Sequence, residues 1–486
     1  MFSDILHRDP LYKKVVSGSL WMFLGQGIYR SLTLIKLVVL ARILSPEDFG
    51  VFGLALLSLS TLDVFSKFGF QEKLIRDQGS IESQINTVWT LSLLRGFVLG
   101  AVLFLAAPAI ASFFDNEKIS YILRILSISP LISGALNPRI VYLSKNLEFK
   151  KLTLYNFSGT IVDFSVSVLV AIFTKSVIAL VLGTISGQVV RLILSHILFT
   201  SRLKLEISSD VFKSIYNFGK WVWWGNLLVF LSTQGDDIFV GKVLGTTMVG
   251  FYQMAYKISS LVLTEITTVV KKVLYPVYSK YQDDNSILRK WFYLTFAANT
   301  FLTVPFGLTI FWFAKPIILI FLGPNWLPML GSLKILSIAG VIRSALSVGG
   351  SLFYSKNLPK FDTISQLIRF LTLAVLIFPL ADKYELEGVS FAVLMSLLTM
   401  SVIYIKLISD VLQDKWWKYV ITIKIPIFLY LLVAWVFTII FKSMEKTVGL
   451  LWSNIIVVLC ILVVYFLVMF FVFKRITKTL AYEQIP

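Results

Sequence analysis

The 486-residue sequence holds one cysteine, Cys460, and two histidines, His7 and His196. A lone thiol inside an apolar run excludes a disulfide framework and a thiolate metal site. The histidines are far apart and lack the H-E-x-x-H spacing of a zinc hydrolase. No G-x-x-x-x-G-K-[ST] segment occurs, so a P-loop ATPase within this chain is excluded. No small-residue cleavage pattern follows the first apolar run, which argues against a cleavable signal peptide. Charge is scarce as well: 15% of residues are charged, against about 25% in soluble domains. Nothing in the sequence calls for a cofactor.

What fills the chain is apolar side chain, 57% of all residues. These residues recur as runs of about 20, the length a helix needs to cross a hydrocarbon layer of about 30 Å. The implied fold class is all-α: a polytopic membrane protein with spans near 15–41, 46–70, 85–113, 118–143, 153–174, 176–200, 218–243, 247–270, 291–321, 326–354, 361–381, 387–409, 418–441 and 449–473. Pro46, Pro138, Pro276 and Pro324 fall near turns, while Pro108, Pro130, Pro305, Pro379 and Pro426 fall where a span would kink.

The net charge of +18 suggests nucleic acid until the basic residues are located. They gather in alternate connectors, among them Lys13 and Lys14, Lys73 and Arg76, Lys150 and Lys151, Lys271 and Lys272, and Lys474 and Arg475. The opposite connectors hold only Arg42, Lys118, Lys175, Lys242, Lys315, Lys383, Lys442 and Lys446. Such an imbalance is the imprint of topology, and it places both termini in the cytoplasm. It also accounts for the charge through membrane lipids, leaving no nucleic-acid partner. Trp221, Trp223, Trp224, Trp416 and Trp417 read as an interfacial aromatic belt.

The chain resembles itself at an offset of 200 residues: Leu44, Gly50, Ala55 and Ser60 recur as Leu244, Gly250, Ala255 and Ser260. Both copies, ARILSPEDFGVFGLA and GKVLGTTMVGFYQMA, end one span and open the next. The repeat predicts two parallel six-helix lobes, 1–217 and 218–417, around a central cavity suited to alternating access. Residues 418–486, with the last two spans and a tail, fall outside it.

LARILSPEDFGVFGLA, GFQEKLIRDQ, NLEFKKL, DDIFVGKVLGTTMVGFYQMAYK, VLYPVYSKYQDD and FLGPNW, in that order, resemble the polysaccharide transporter family, the Wzx-type flippases. The resemblance covers about residues 15 to 355 and implies a fold like that of multidrug and toxin extruders. It also implies a substrate: an undecaprenyl-pyrophosphate-linked glycan, moved across a bacterial cytoplasmic membrane. A polysaccharide polymerase and chain-length proteins are the partners that go with such a role.

Ionisable groups at membrane depth are costly and face a cavity or a partner. Arg30, Arg95, Arg124, Arg191, Lys257, Arg343 and Arg369 are the candidate lining of a cationic cavity, since guanidinium groups suit phosphate with a planar fork of donors. Lys36, Lys67 and Lys334 lie close enough to span ends to snorkel. Asp163 and Glu265 are the candidate ion-coupling carboxylates, with pairing of Asp163 to Arg30 or Arg95 as the structural alternative. Asp236 and Asp237 suit capping or pairing with Lys242. A glycan polymerase or ligase would need a substantial external loop, and every external connector is short. An exporter of drugs or small cations on the same fold, or a flippase for another pyrophosphate-linked lipid, stays open.

Overall fold

A computed structural model describes residues 10–66, 82–200, 203–208, 230, 233–441 and 456–471. No strand occurs among the described residues. The first helices are α1 (Pro10–Ile43), α2 (Pro46–Ser66), α3 (Glu82–Phe113), α4 (Glu117–Leu126), α5 (Ile128–Ala135), α6 (Phe149–Thr174) and α7 (Ile178–Leu198). Residues 233–243 form α8. There follow α9 (Thr246–Lys280), α10 (Asn285–Trp312), α11 (Leu330–Ser355), α12 (Pro359–Leu412) and α13 (Trp416–Phe441), then α14 (Ile456–Phe471). Lys67, Lys73, Arg76, Trp221, Trp223 and Trp224 lie outside the described residues.

Eight of the described helices are individually long and apolar enough to cross a membrane, nine with the bent pair counted as one span. This is consistent with the fourteen spans expected. The 54-residue α12 contains two of them. Glu385 breaks it, with φ 46° and ψ −126°. A straight helix would hold Asp362 and Tyr404 about 60 Å apart. Instead the Tyr404 hydroxyl donates to Asp362 Oδ1 at 3.0 Å, so the two arms run antiparallel.

The span read at 118–143 departs from expectation. It is broken into α4 and α5, and a bend of 65° separates them from the turn that follows at Pro138. Pro130 removes one ladder donor inside α5, and Asn137 caps the next turn, its side chain accepting from the Arg139 N–H at 3.1 Å. The span read to 270 instead continues as α9 to Lys280. Pro108, Pro305, Pro379 and Pro426 all lie inside helices.

The chain divides into two compact units, Met1–Gly250 and Phe251–Pro486. The lobe boundary at 217/218 lies outside the described residues. Within the first unit the two copies of the repeat meet. Ser45 and Asp48 form a capping box at the start of α2: Ser45 N–H donates to Asp48 Oδ2 at 3.0 Å and Asp48 N–H to Ser45 Oγ at 3.2 Å. The second copy turns on Gly245 at φ 89°. A Cβ at Gly50 would lie 1.8 Å from the Thr246 carbonyl oxygen, and one at Gly250 would lie 2.0 Å from that of Pro46. The aligned glycines are therefore a backbone-to-backbone crossing, which any side chain would prise open.

In the second unit, α9, α10 and α11 are tied by buried polar groups. Thr267 Oγ1 donates to Asn299 Oδ1 at 3.2 Å, and Asn299 Nδ2 donates to the Ser344 carbonyl at 2.9 Å. Buried polar atoms in a helical unit must find such partners, and here they fix the register of the helices that carry the site.

Candidate functional site

The second unit holds a cavity of about 230 Å³ lined by Lys271 from α9, Arg343 and Tyr354 from α11, and Asp362, Gln366 and Arg369 from the first arm of α12. Tyr404 comes from the second arm, so the break at Glu385 assembles the site. Arg369 is buried, only 5% exposed, and Tyr404 is 1% exposed. Arg343 donates to the Tyr256 hydroxyl, and its guanidinium carbon stands 4.6 Å from the centre of that ring. Lys271 acts electrostatically on Asp362. Among the described residues, three cations thus share the lining with one carboxylate, beside Ser347, Ser351, Tyr354 and Tyr404. The surplus is positive, and charge interactions strengthen where the surroundings exclude water.

Of the basic residues singled out in the sequence, the structure brings Arg343 and Arg369 together here. It adds Lys271, read as a connector lysine, and Asp362, which spacing alone did not single out. Asp362 lies in the first turn of α12 beside Lys360, where a solvated cap is the ordinary reading. Only the fold-back of α12 reveals its partner.

The first unit has a larger cavity, about 580 Å³, among α2, α3, α5 and α7. Arg95 and Asp63 lie in its wall and form an ion pair. Arg95 Nε also donates to Ser66 Oγ at 3.0 Å. Ser60, Ser92, Ser129, Ser133 and Gln188 supply further polar lining, with Ser129 Oγ donating to Gln188 Oε1 at 2.7 Å. Here the guanidinium is matched by an acid, and hydroxyls and an amide share the wall with Leu56, Leu59, Leu99 and Leu136.

Asp163 does not pair with Arg30 or Arg95. Its partner is Lys36, whose ammonium donates to Oδ1 at 2.6 Å and so joins α1 to α6. Lys36 is therefore not simply snorkelling. The pair sits where α6 and α7 cross closely: a Cβ at Gly187 would come within 2.9 Å of the Asp163 Cβ. Gly183 and Gly187 form a GxxxG motif, the sequence signal that locates this crossing.

The remaining candidates lie elsewhere. Arg191 packs along Gly159 and acts on Tyr155. Arg30 stands 5.8 Å from the Tyr29 ring centre. Arg124 is exposed beside Phe104, and Lys257 is exposed on α9. Glu265 is half-buried on α9 and is not among the residues lining the cavity of the second unit. Lys242 pairs with Asp115 at 2.8 Å rather than with Asp236 or Asp237.

Described residues that are helical almost throughout, with many apolar spans and cavities of a few hundred Å³ with charged lining, define a multi-pass membrane transporter rather than an enzyme. Residues 39–331 match the family model described as "Polysaccharide biosynthesis protein". The chain belongs to that family. It is 23% identical over 430 residues to the lipopolysaccharide biosynthesis protein WzxC of Escherichia coli (strain K12), covering 87% of this chain and 86% of that one. It is likewise 23% identical over 347 residues to the teichuronic acid biosynthesis protein TuaB of Bacillus subtilis (strain 168), covering 71% and 72%. In fold it matches the lipid II flippase MurJ in its inward closed conformation, with a TM-score of 0.74 at 14% identity, covering 95% of this chain and all (100%) of that one.

Proposed function

We propose that the chain is a flippase that carries an undecaprenyl-pyrophosphate-linked oligosaccharide from the inner to the outer leaflet of a bacterial cytoplasmic membrane by alternating access. The observation that carries this reading is that Lys271, Arg343 and Arg369 line one cavity of a helical unit together with one described carboxylate, Asp362. A pyrophosphate is the part of such a substrate that a low-dielectric layer rejects, and a surplus of fixed cations offsets that cost. The cavity of the first unit, where serine hydroxyls and Gln188 alternate with leucines and Arg95 is already matched by Asp63, suits the uncharged sugars. The roles of WzxC and TuaB, in lipopolysaccharide and teichuronic acid biosynthesis, support a surface-polysaccharide substrate. An organic-cation exporter would need an acidic pocket, and this one is basic.

The division into two lobes and a C-terminal helix pair, and a polymerase working downstream, belong to the same proposal. So does Asp163 as the coupling carboxylate. Its protonation would release Lys36, and an ion moves an equilibrium only through such a difference between states. Purified protein in liposomes should move a pyrophosphate-linked oligosaccharide lipid between leaflets and leave a cationic dye where it is. An imposed pH or sodium gradient should change the rate, and Asp163→Asn should remove that dependence without loss of folded protein. Flipping of the dye alone would overturn the substrate reading, and gradient dependence that survives Asp163→Asn would overturn the coupling role.

Orientation is tested separately. Single cysteines at the exposed positions Lys175 and Lys383 should label with an impermeant thiol reagent in intact cells, after replacement of Cys460. Those at Lys150, Asp284 and Lys415, also exposed, should label only after lysis. The reverse pattern would place the termini outside.

A further inference from the structure

A second feature of the C-terminal unit has no part in that reading. α13 is among the most apolar of the described helices, yet it carries Lys424 on its exposed side. Lys424 lies eight residues past Trp416, about 12 Å along the helix axis. Lys406 lies at a similar level on the second arm of α12, because the chain reverses between Leu412 and Trp416. Both lysines line one groove of about 760 Å³ between α10, α11, α12 and α13. The rest of the groove is mostly aliphatic, with Ile405 and Ile427 on facing helices and Trp416 at the end nearest the turn.

Asp410 is the lining carboxylate, and among the described residues it forms no ion pair with either lysine. The nearby Lys418 differs, being taken by Asp414 at 2.9 Å. Burial pushes the Asp414 carboxyl up, but hydrogen bonds from Lys418, the Lys415 N–H and the Tyr419 hydroxyl hold it below the usual carboxylate range. Two ammonium groups exposed on apolar helices, with no ion-pair partner among the described residues, favour an anion from outside the chain. Their four-carbon stems reach toward the Trp416 end, where lipid phosphates lie.

We propose that this groove is a binding site for one anionic phospholipid, its acyl chains along the aliphatic wall and its phosphodiester held between Lys406 and Lys424. The same residues disfavour phosphatidylcholine, whose quaternary ammonium would be brought up against two fixed cations. The site is separate from the cavity at Lys271 and stands whether or not that cavity binds pyrophosphate.

The probes are phosphatidylglycerol and phosphatidylcholine with matched acyl chains, added to the purified full-length chain and followed by native mass spectrometry. Wild-type protein should retain one phosphatidylglycerol with a preference of about tenfold or more, the scale set by two lysines near an anionic headgroup. The K406Q/K424Q double variant should fall to within about twofold of no preference while keeping its melting temperature in neutral detergent. Val402→Trp, which fills the groove and leaves both lysines in place, should lower retention of both lipids. K424Q alone serves if the double variant does not fold, and it should lose most of the preference. Equal retention by the wild type, an unchanged preference in the lysine variants, or displacement of phosphatidylglycerol by an equimolar isoprenyl phosphate would overturn the assignment.

Discussion

Alanine at Arg369 should abolish polysaccharide export while the protein still reaches the membrane at normal levels. Its guanidinium is almost fully buried in the cationic cavity of the second unit. A hydrogen bond to a charged group contributes about 1.5–3 kcal/mol, so losing one should weaken pyrophosphate binding by roughly 10- to 100-fold. Arg343→Ala and Lys271→Ala should follow the same direction. Arg369→Lys should restore only part of the loss, since an ammonium keeps the charge but not the two parallel donors. Titration of purified protein with inorganic pyrophosphate gives the binding change, and a melting curve separates it from misfolding. Normal export and unchanged pyrophosphate affinity in all three alanine variants would remove this cavity from the mechanism.

The second large effect is steric. Gly50→Leu should eliminate export and lower the melting temperature, because the Thr246 carbonyl oxygen stands 1.8 Å from where a Cβ would go and ordinary contact begins near 3.4 Å. Overpacking of a side chain typically costs about 1–3 kcal/mol, and backbone that cannot rotate away puts this site at the upper end. Gly250→Leu should do the same, its Cβ meeting the Pro46 carbonyl. The double variant should be little worse than either single one, since one insertion already separates the turns. Gly27→Ala is the control, because nothing lies within 4 Å of its added Cβ. Full export by Gly50→Leu would show that the crossing is dispensable.

Much of the fold was legible because its signals are one-dimensional. Span-length apolar runs mark α2, α3, α6, α7 and α10, and the repeated turn glycines already pointed to Gly50 and Gly250. The broken span at 118–143 was less so: Pro138 reads as a turn near the end of a run, and the bend just before it, where Asn137 caps the next turn, divides the run instead. Site residues were half legible. Depth in a run picks out Arg343 and Arg369, but it says nothing about which face a helix turns inward. Lys257 passes the same depth test and is exposed. Lys36 and Asp163 lie 127 positions apart, and no spacing rule links them. Lys271 and Asp362 sit at the ends of apolar runs, where a charge reads as a solvated cap until α12 folds back.

The three cations and one carboxylate around the Tyr404 hydroxyl have an electrical consequence. The described lining residues of that pocket sum to about two positive formal charges, and each charge moved across the membrane involves about 2.3 kcal/mol per 100 mV. A pyrophosphate dianion would bring it close to neutral. On the proposed reading the loaded carrier would then feel the membrane potential hardly at all, and the voltage would act mainly on the return of the empty one. The Lys36–Asp163 pair, neutral while it holds, adds nothing to that work. Membrane potential would govern how fast the protein resets rather than how tightly it holds its cargo.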